Sequence, residues 1–443
     1  MKILLCVEFY FPSVGGAQEV VRQVAERLVR RDHNVTVATS AIASRSVRTL
    51  NGVKIADFNV GGNRVKGLVG DVESYQRFLL AGDFDCILFY AAQQWTFDAA
   101  WPVLDRLRGA KVLVPCGYSA LYKPEFRRYF EELPEILQKF EAVVYHAHNY
   151  RDVSYGTNHG VRKAVMIPNG ADIAEFSVPR DTSFKQSLGV DDDTFILLTV
   201  GSLNGLKGHL ELVQAYDKLD FGSRKSLLIL NGNAPYVSGK AAPLLQRTIR
   251  VLRRDGFRQT ILRGLRCVFC AQRAAGSAES VHKWAKRIND TNGGFKRVVI
   301  VDLPRPALVQ SYLNADLFVF ASNVEYSPLV LFEACAAGLP FLSVPVGNSA
   351  EIVEWTGGGE ICDARADEEG FTRVAPEALA HRIEQLATDL SRLQQLKRKG
   401  LSASAERYNW DAVAKEYEDL FSRLVQRSAS RDGSRSPVVG ELK

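Results

Sequence analysis

Two glutamates and a lysine are the residues best placed to do chemistry. Glu325 and Glu333 stand eight positions apart in NVEYSPLVLFEACAAGLPFLS, the second inside an otherwise apolar helical run. A carboxylate in such a run is costly unless it has a partner, and a ribose diol would supply one. Lys207, in VGSLNGLKGH, lies just before Gly208 and a helical pattern, where it would meet a phosphate as a point charge. This segment lacks GxxxxGK[ST] and is not a P-loop. In the glutamate segment Ser327 reads as a helix N-cap and Pro328 as the first helical residue, where a missing N–H costs nothing. The free amides of Leu329 and Val330 would then face a ligand, with Glu325 in the loop before them. A third segment, PSVGGAQ, places Gly15 and Gly16 at a helix start, where backbone can approach an anion closely. It does not fit GxGxxG and gives no support to a nicotinamide enzyme. A lysine together with helix-start amides is equipment for binding a phosphate.

The elements that would position these groups alternate in type. KILLCVEF, NVTVATS, DCILFYAA, AKVLVPCG and EAVVYHA read as strands, with helical EVVRQVAERLVRR and TFDAAWPVLDRLRG between them. The pattern restarts near residue 194 with TFILLTVGSL, SLLILNGNA, VVIVDL, LFVFAS and PFLSVPVG, again separated by helices. Strands alternating with helices predict parallel, doubly wound sheets. Two such arrays joined near MIPNGADIAEFSVP imply two Rossmann-like domains with a cleft between them. All three chemical segments then fall in loops at the carboxyl ends of strands, where such sheets bind ligands. Near the end of the chain, Trp410, Val413, Tyr417, Leu420 and Phe421 share one face of a predicted helix. The Ser- and Arg-rich residues 427–443 are expected to be disordered.

Composition excludes other classes. Of 443 residues, 46% are hydrophobic and 24% charged, which rules out a wholly disordered chain. No run approaches 18 uncharged apolar residues, and the apolar N-terminus is broken by Glu8, so neither a membrane span nor a signal peptide is expected. Seven scattered cysteines fit reduced thiols in a cytosolic protein rather than a disulfide framework. Asp83 and Asp85 imitate a metal-binding DxD, but precede a strand and read as a solvated loop, as do Asp191 and Asp193. Cys267 and Cys270 form one CxxC with only His282 nearby, so no metal site is expected. His146, His148 and His159 are assigned packing or loop roles. Residues 247–297 hold 13 basic against 3 acidic residues. That island is either a solvated helical face or an attraction to anionic lipid or a polyanionic acceptor. It lacks interleaved aromatics, and nucleic acid is not expected as a partner.

In this order the segments resemble the retaining glycosyltransferases of family 4, over residues 1 to about 425. The resemblance is carried by Gly15–Gly16, IPNGADIAEF, VGSLNGLKGH, the Glu-x7-Glu pair of EYSPLVLFE, VGNSAEIV and the tryptophan of RYNWDAVAKEYEDLF. It implies an α/β GT-B fold of two Rossmann-like, doubly wound domains facing across a cleft. Residues 1–180 would form the acceptor-binding domain, joined by a crossing helix at about 408–426, and 190–407 the nucleotide-sugar-binding domain. The resemblance implies that Lys207 binds the donor diphosphate, Glu333 the nucleotide ribose and Glu325 the donor sugar near its reacting carbon. It likewise implies that Gly15 and Gly16 close over a substrate and that Ser202, Tyr326, Ser327, Leu329 and Val330 border the donor. Cys116, Gly117 and Tyr118 are assigned to the acceptor cleft. Ser202 stands where the family often has arginine, Tyr326-Ser327-Pro328 replaces the usual Phe-Gly, and no cleft histidine follows the later N-domain strand. The expected activity is retaining and metal-independent, with no cofactor and a nucleotide-diphosphate sugar as co-substrate. The acceptor would be a glycan, a lipid-linked intermediate or a small molecule, met in the cytoplasm with a peripheral contact to the anionic inner membrane face. Two alternatives carry over. One is a non-catalytic sugar-nucleotide- or partner-binding member. The other is an epimerase or phosphorylase of similar fold, whose paired acid/base groups or cofactor lysine are not identifiable.

Overall fold

A computed structural model describes residues 1–232 and 278–433. The chain divides into two compact units, Met1–Ala171 with Glu406–Lys443, and Asp172–Ala405. In the first unit the order is β1 (Lys2–Cys6), α1 (Gly16–Arg30), β2 (Asn34–Ser40), β3 (Thr49–Leu50), β4 (Val53–Phe58), β5 (Val60–Asn63), β6 (Gly67–Gly70), α2 (Val72–Ala81), β7 (Cys86–Tyr90), α3 (Trp95–Asp98), β8 (Ala110–Val114), α4 (Arg127–Leu137), β9 (Ala142–Tyr145), α5 (Arg151–Asn158) and β10 (Ala164–Met166). The sheet runs β10-β9-β8-β7-β1-β2-β4-β3 and is parallel except where β3 meets β4. The apolar runs that form β1, β7, β8 and β9 are almost wholly buried, as strands covered on both faces must be. On α1, Val20, Val21, Val24 and Leu28 supply the buried stripe that their spacing predicts.

The second unit begins with α6 (Ile173–Phe176) and α7 (Phe184–Ser187). It continues through β11 (Phe195–Val200), α8 (His209–Lys218), β12 (Ser226–Asn231), a helix α9 over 278–291, β13 (Lys296–Val301), α10 (Arg305–Asn314), β14 (Leu317–Phe320), α11 (Leu329–Ala336), β15 (Phe341–Ser343), α12 (Ser349–Thr356) and β16 (Gly359–Ile361). Its sheet, β13-β12-β11-β14-β15-β16, is parallel throughout. A small ribbon, β17 (Arg365–Ala366) with β18 (Thr372–Arg373), precedes α13 (Pro376–Thr388) and α14 (Leu390–Glu406). The last helix, α15 (Trp410–Gly433), belongs to the first unit and packs along α1. Its Trp410, Val413, Tyr417, Leu420 and Phe421 are all buried.

Two local expectations are corrected, and one element was not foreseen. TFDAAWPVLDRLRG is a four-residue helix, α3, followed by a 3₁₀ segment at Trp101–Arg106. Pro102 cannot donate to the carbonyl of Asp98 and its ring crowds that carbonyl, so a single helix fails there. The hairpin of β5 and β6 was not legible, because its strands are short and its turn depends on Gly62 and Gly67 at φ 87° and 88°. Residues 427–433, expected as disordered tail, continue α15, with the Ser430 hydroxyl donating to the carbonyl of Gln426. Most of the basic island, with Cys267 and Cys270, lies outside the described residues. Its described part includes α9, where Lys283 pairs with Glu279 and Lys286 with Asp290 on an exposed face. Among the described residues, Cys6, Cys86, Cys335 and Cys362 are buried free thiols, and Cys116 is a half-buried one. No described helix is long and apolar enough to cross a membrane.

Candidate functional site

A parallel sheet offers a crevice where the strand order reverses, because neighbouring connections there leave toward opposite faces. In the second unit that point lies between β11 and β14. The loop after β11 carries Ser202 and Lys207, and the loop after β14 carries Glu325, Tyr326 and Ser327. The Lys207 Nζ donates to Glu325 Oε1, and Ser322 Oγ donates to the same oxygen at 3.1 Å. Both charged side chains are half-buried. The loops are also tied through backbone, with Asn323 N donating to Leu206 O at 3.0 Å. Gly208, the N-cap of α8, has φ 67°, and a Cβ there would lie 1.7 Å from Ala321 O. Only glycine lets the two loops approach this closely.

The loop after β15 closes a third side. Asn348 N donates to Tyr326 O at 2.8 Å, and Gly347, at φ 58°, would put a Cβ 2.3 Å from that oxygen. Helix α11 opens at Leu329. Pro328, at φ −71° and ψ 116°, is itself the cap, so the assignment of Ser327 as cap and Pro328 as first helical residue is corrected. The Pro328 carbonyl accepts from Leu331 N at 3.3 Å while its own ψ stays extended, which is the cap's half-in geometry. The amides of Leu329 and Val330 open the helix, and one turn further Glu333 faces a different set of partners. Arg305 Nη2 donates to Glu333 Oε1 at 2.7 Å, and Tyr312 OH to Oε2 at 3.1 Å. The same guanidinium grips Glu175 through two bonds, at 2.7 and 2.6 Å. Burial pushes the Arg305 pKa down, but the two carboxylates outweigh it and the net shift is upward. The desolvation of Glu333 is thus met from inside the chain, and its burial alone does not call for a ligand. Arg305 was not singled out from the sequence. The available signal was a basic residue opening a helix, where the dipole disfavours it without acidic partners.

The first unit has its own reversal point, between β1 and β7. A cavity of about 420 Å³ opens there, lined by Glu8, Ala17, Asn63, Lys66, Ala91–Gln94, Cys116 and Ser119 among others. Ala91, Gln93 and Cys116 have φ of 69°, 65° and 61°, a left-handed conformation costly for side chains with a Cβ. Cys116 therefore lines this cavity, and burial pushes its thiol up to about 12. Gly117 is engaged elsewhere, its N donating to Asp152 and its carbonyl accepting from Arg151. Tyr118 is corrected to a core residue, 1% exposed and edge-on to Phe130 and Tyr155. Gly15 caps α1 with extended backbone, and Gly16 is exposed at its start beside Ala17. His146 is a packing residue, bonded to Tyr90 OH at 3.0 Å and to the Ile167 carbonyl at 2.8 Å. Asp83 pairs with Lys2, and Asp85 accepts from its backbone, both ahead of β7. Among the described residues no group of three or more His, Cys, Asp or Glu is arranged to hold a metal ion.

Comparison with known proteins agrees with this fold. Residues 273–403 match the family model described as glycosyl transferases group 1. The chain is 24% identical to a D-inositol 3-phosphate glycosyltransferase of Corynebacterium urealyticum, over 96% of this chain and 95% of that one. Among solved structures, the sucrose-phosphate synthase of Thermosynechococcus elongatus superposes with a TM-score of 0.69 at 16% identity, covering 96% of this chain and 99% of the other. HepE of Anabaena, solved with UDP and glucose, gives 0.65 at 15% identity, covering 96% and 100%. Residues 273–403 are thus a group 1 glycosyltransferase segment, and the chain is a glycosyltransferase built on the GT-B fold.

Proposed function

We propose that the chain transfers a sugar from a nucleoside diphosphate sugar to a hydroxyl acceptor with retention of configuration and without a metal. The observation that carries this is the Lys207–Glu325 pair at the reversal point of the second sheet, beside the opening amides of α11. Leaving of the diphosphate puts negative charge on its oxygens and positive character on the anomeric carbon. Lys207 and the amides of Leu329 and Val330 answer the first, and the Glu325 carboxylate the second. The acceptor oxygen attacks from the face the diphosphate leaves. The C–O bond to phosphate breaks as the new glycosidic bond forms, and the acceptor proton passes to a leaving phosphate oxygen. Glu333, oriented by Arg305 and Tyr312, accepts from the ribose hydroxyls. Support for a nucleotide-sugar donor comes from HepE, whose structure was solved with UDP and glucose. Membership in the family 4 branch belongs to the same proposal, as does assignment of the acceptor to the first unit.

A thermal-shift panel of UDP, GDP, ADP and their sugars, each with and without EDTA, tests the reading. A ligand at 100 times its dissociation constant adds about 2.7 kcal/mol of stability. One nucleotide should stabilise the wild type, lose most of its effect in Lys207→Ala and Glu333→Ala, and be indifferent to EDTA. Stabilisation that survives both substitutions, or that needs a divalent cation, would overturn it.

A further inference from the structure

The cavity of the first unit has more unspent polarity than its fold requires. Among the described residues the Glu8 carboxylate has no hydrogen bond and no ion pair, although its backbone N donates to Gln94 Oε1 at 3.3 Å. The Lys66 ammonium is close enough to act on Glu8 electrostatically and, among the described residues, makes no hydrogen bond of its own. The Gln93 Nε2 is buried and has no partner among the described residues, even though the Gln93 backbone is held at both ends, its N donating to Tyr129 OH and its O accepting from Asn63. Asn63 Oδ1 in turn accepts from Lys66 N at 2.8 Å and fixes the loop that presents the lysine. One anion, one cation, amide groups and the Ser119 hydroxyl thus line a space large enough for a monosaccharide, and the left-handed residues Ala91, Gln93 and Cys116 are the strain spent in shaping it.

We propose that this cavity binds a neutral, hydroxyl-rich acceptor, a sugar or polyol without a phosphate, with Glu8 accepting from one hydroxyl and Lys66 donating to a neighbouring oxygen. The inference rests on the transferase reading in taking the bound molecule as the acceptor. The alternative chemistry is a phosphorylated polyol. Two features decide between them. The first turn of α1, beside Ala17, would favour an anion with a partial charge of about half a unit. Glu8 opposes it with a full negative charge inside the same cavity, and among the described residues Lys66 is the one lysine or arginine in the lining. Each phosphate would bring nearly two negative charges to a wall whose side chains sum to zero.

The test is titration calorimetry of the full chain with three matched pairs: myo-inositol and its 3-phosphate, glucose and glucose 6-phosphate, mannose and mannose 6-phosphate. Titration with UDP runs in parallel. At least one neutral member should bind, about tenfold or more tighter than its phosphorylated partner, and Glu8→Gln should shrink that gap to about threefold or less. UDP binding should be the same in Glu8→Gln as in wild type, which also shows that the variant is folded. Tighter binding of any phosphorylated member to wild type, or no binding by any neutral member, would overturn the proposal. If no nucleotide binds while the neutral preference holds, the donor reading fails and the polyol site stands.

Discussion

At the residue scale the arrangement turns on which side chains hold one another. Lys207 and Glu325 are 118 positions apart and meet because β11 and β14 are sheet neighbours. Replacing Lys207 by alanine removes a cation and leaves Glu325 facing a diphosphate, so kcat/KM for transfer should fall about 100- to 1,000-fold. Steady-state kinetics with the best sugar nucleotide would show it. Arg305→Ala leaves Glu175 and Glu333 without their shared guanidinium. KM for the donor should rise about tenfold with a smaller change in kcat, since Arg305 orients Glu333 and does not meet the reacting atoms. Lys207, Glu325 and Glu333 were legible in the sequence because each breaks a local pattern: a lysine before a helix-start glycine, and carboxylates around an apolar run. Arg305, Tyr312 and Glu175 were not, because their value lies in contacts between segments with no local signature. The same is true of Glu8, which read only as a break in the apolar N-terminal run, and of Lys66, which no sequence pattern singles out.

At the scale of elements, glycines set the spacing of the site loops. Gly208→Ala would meet both an unfavourable φ and the Ala321 carbonyl, and should destabilise the second unit by about 2–3 kcal/mol, read as a lowered urea midpoint. In the first unit, burial holds His146 neutral, with its pKa pushed from 6.5 down to about 4. The unfolded chain takes up that proton as pH falls through 6.5, while the folded chain refuses it until about pH 4. Stability should therefore be lost across this window, on the order of 3 kcal/mol from His146. Asp98 acts oppositely. Burial raises it to about 6, so the fold takes up a proton first and gains stability as pH falls toward 4. Urea midpoints at pH 7 and pH 4.5 for wild type and His146→Gln separate the two, and the variant should lose less on acidification. The strand–helix alternation that builds both sheets was readable because buried parallel strands are plain apolar runs. The break at Pro102 and the glycine hairpin were harder, since each depends on a single backbone constraint inside an otherwise ordinary pattern.

At the scale of the whole molecule, the chain leaves its first unit at Ala171 and returns at Glu406, and the two crossings are paired. Ala171 N donates to Tyr408 O, and Trp410 N to Ala171 O, both at 3.1 Å. A Cβ on Gly170 would lie 2.9 Å from this returning backbone, which explains the glycine of IPNGAD. The returning helix covers the apolar stripe of α1, and Tyr417 lines a small apolar space with Val20, Val21 and Val24. Truncation after Glu406 should leave that stripe bare and the protein insoluble, while Tyr417→Ala should cost about 3–5 kcal/mol in a urea unfolding curve. The stripe on each helix was visible in its sequence, but that the two cover each other was not, because periodicity names a buried face and not its partner. The central claim, that the donor diphosphate is held at the reversal point of the second sheet, is tested most directly by titrating the best-stabilising nucleoside diphosphate into wild type, Lys207→Ala and Glu8→Gln in the presence of EDTA. The predicted result is a Kd raised about tenfold or more by Lys207→Ala and unchanged by Glu8→Gln. Equal affinity for wild type and Lys207→Ala would contradict it.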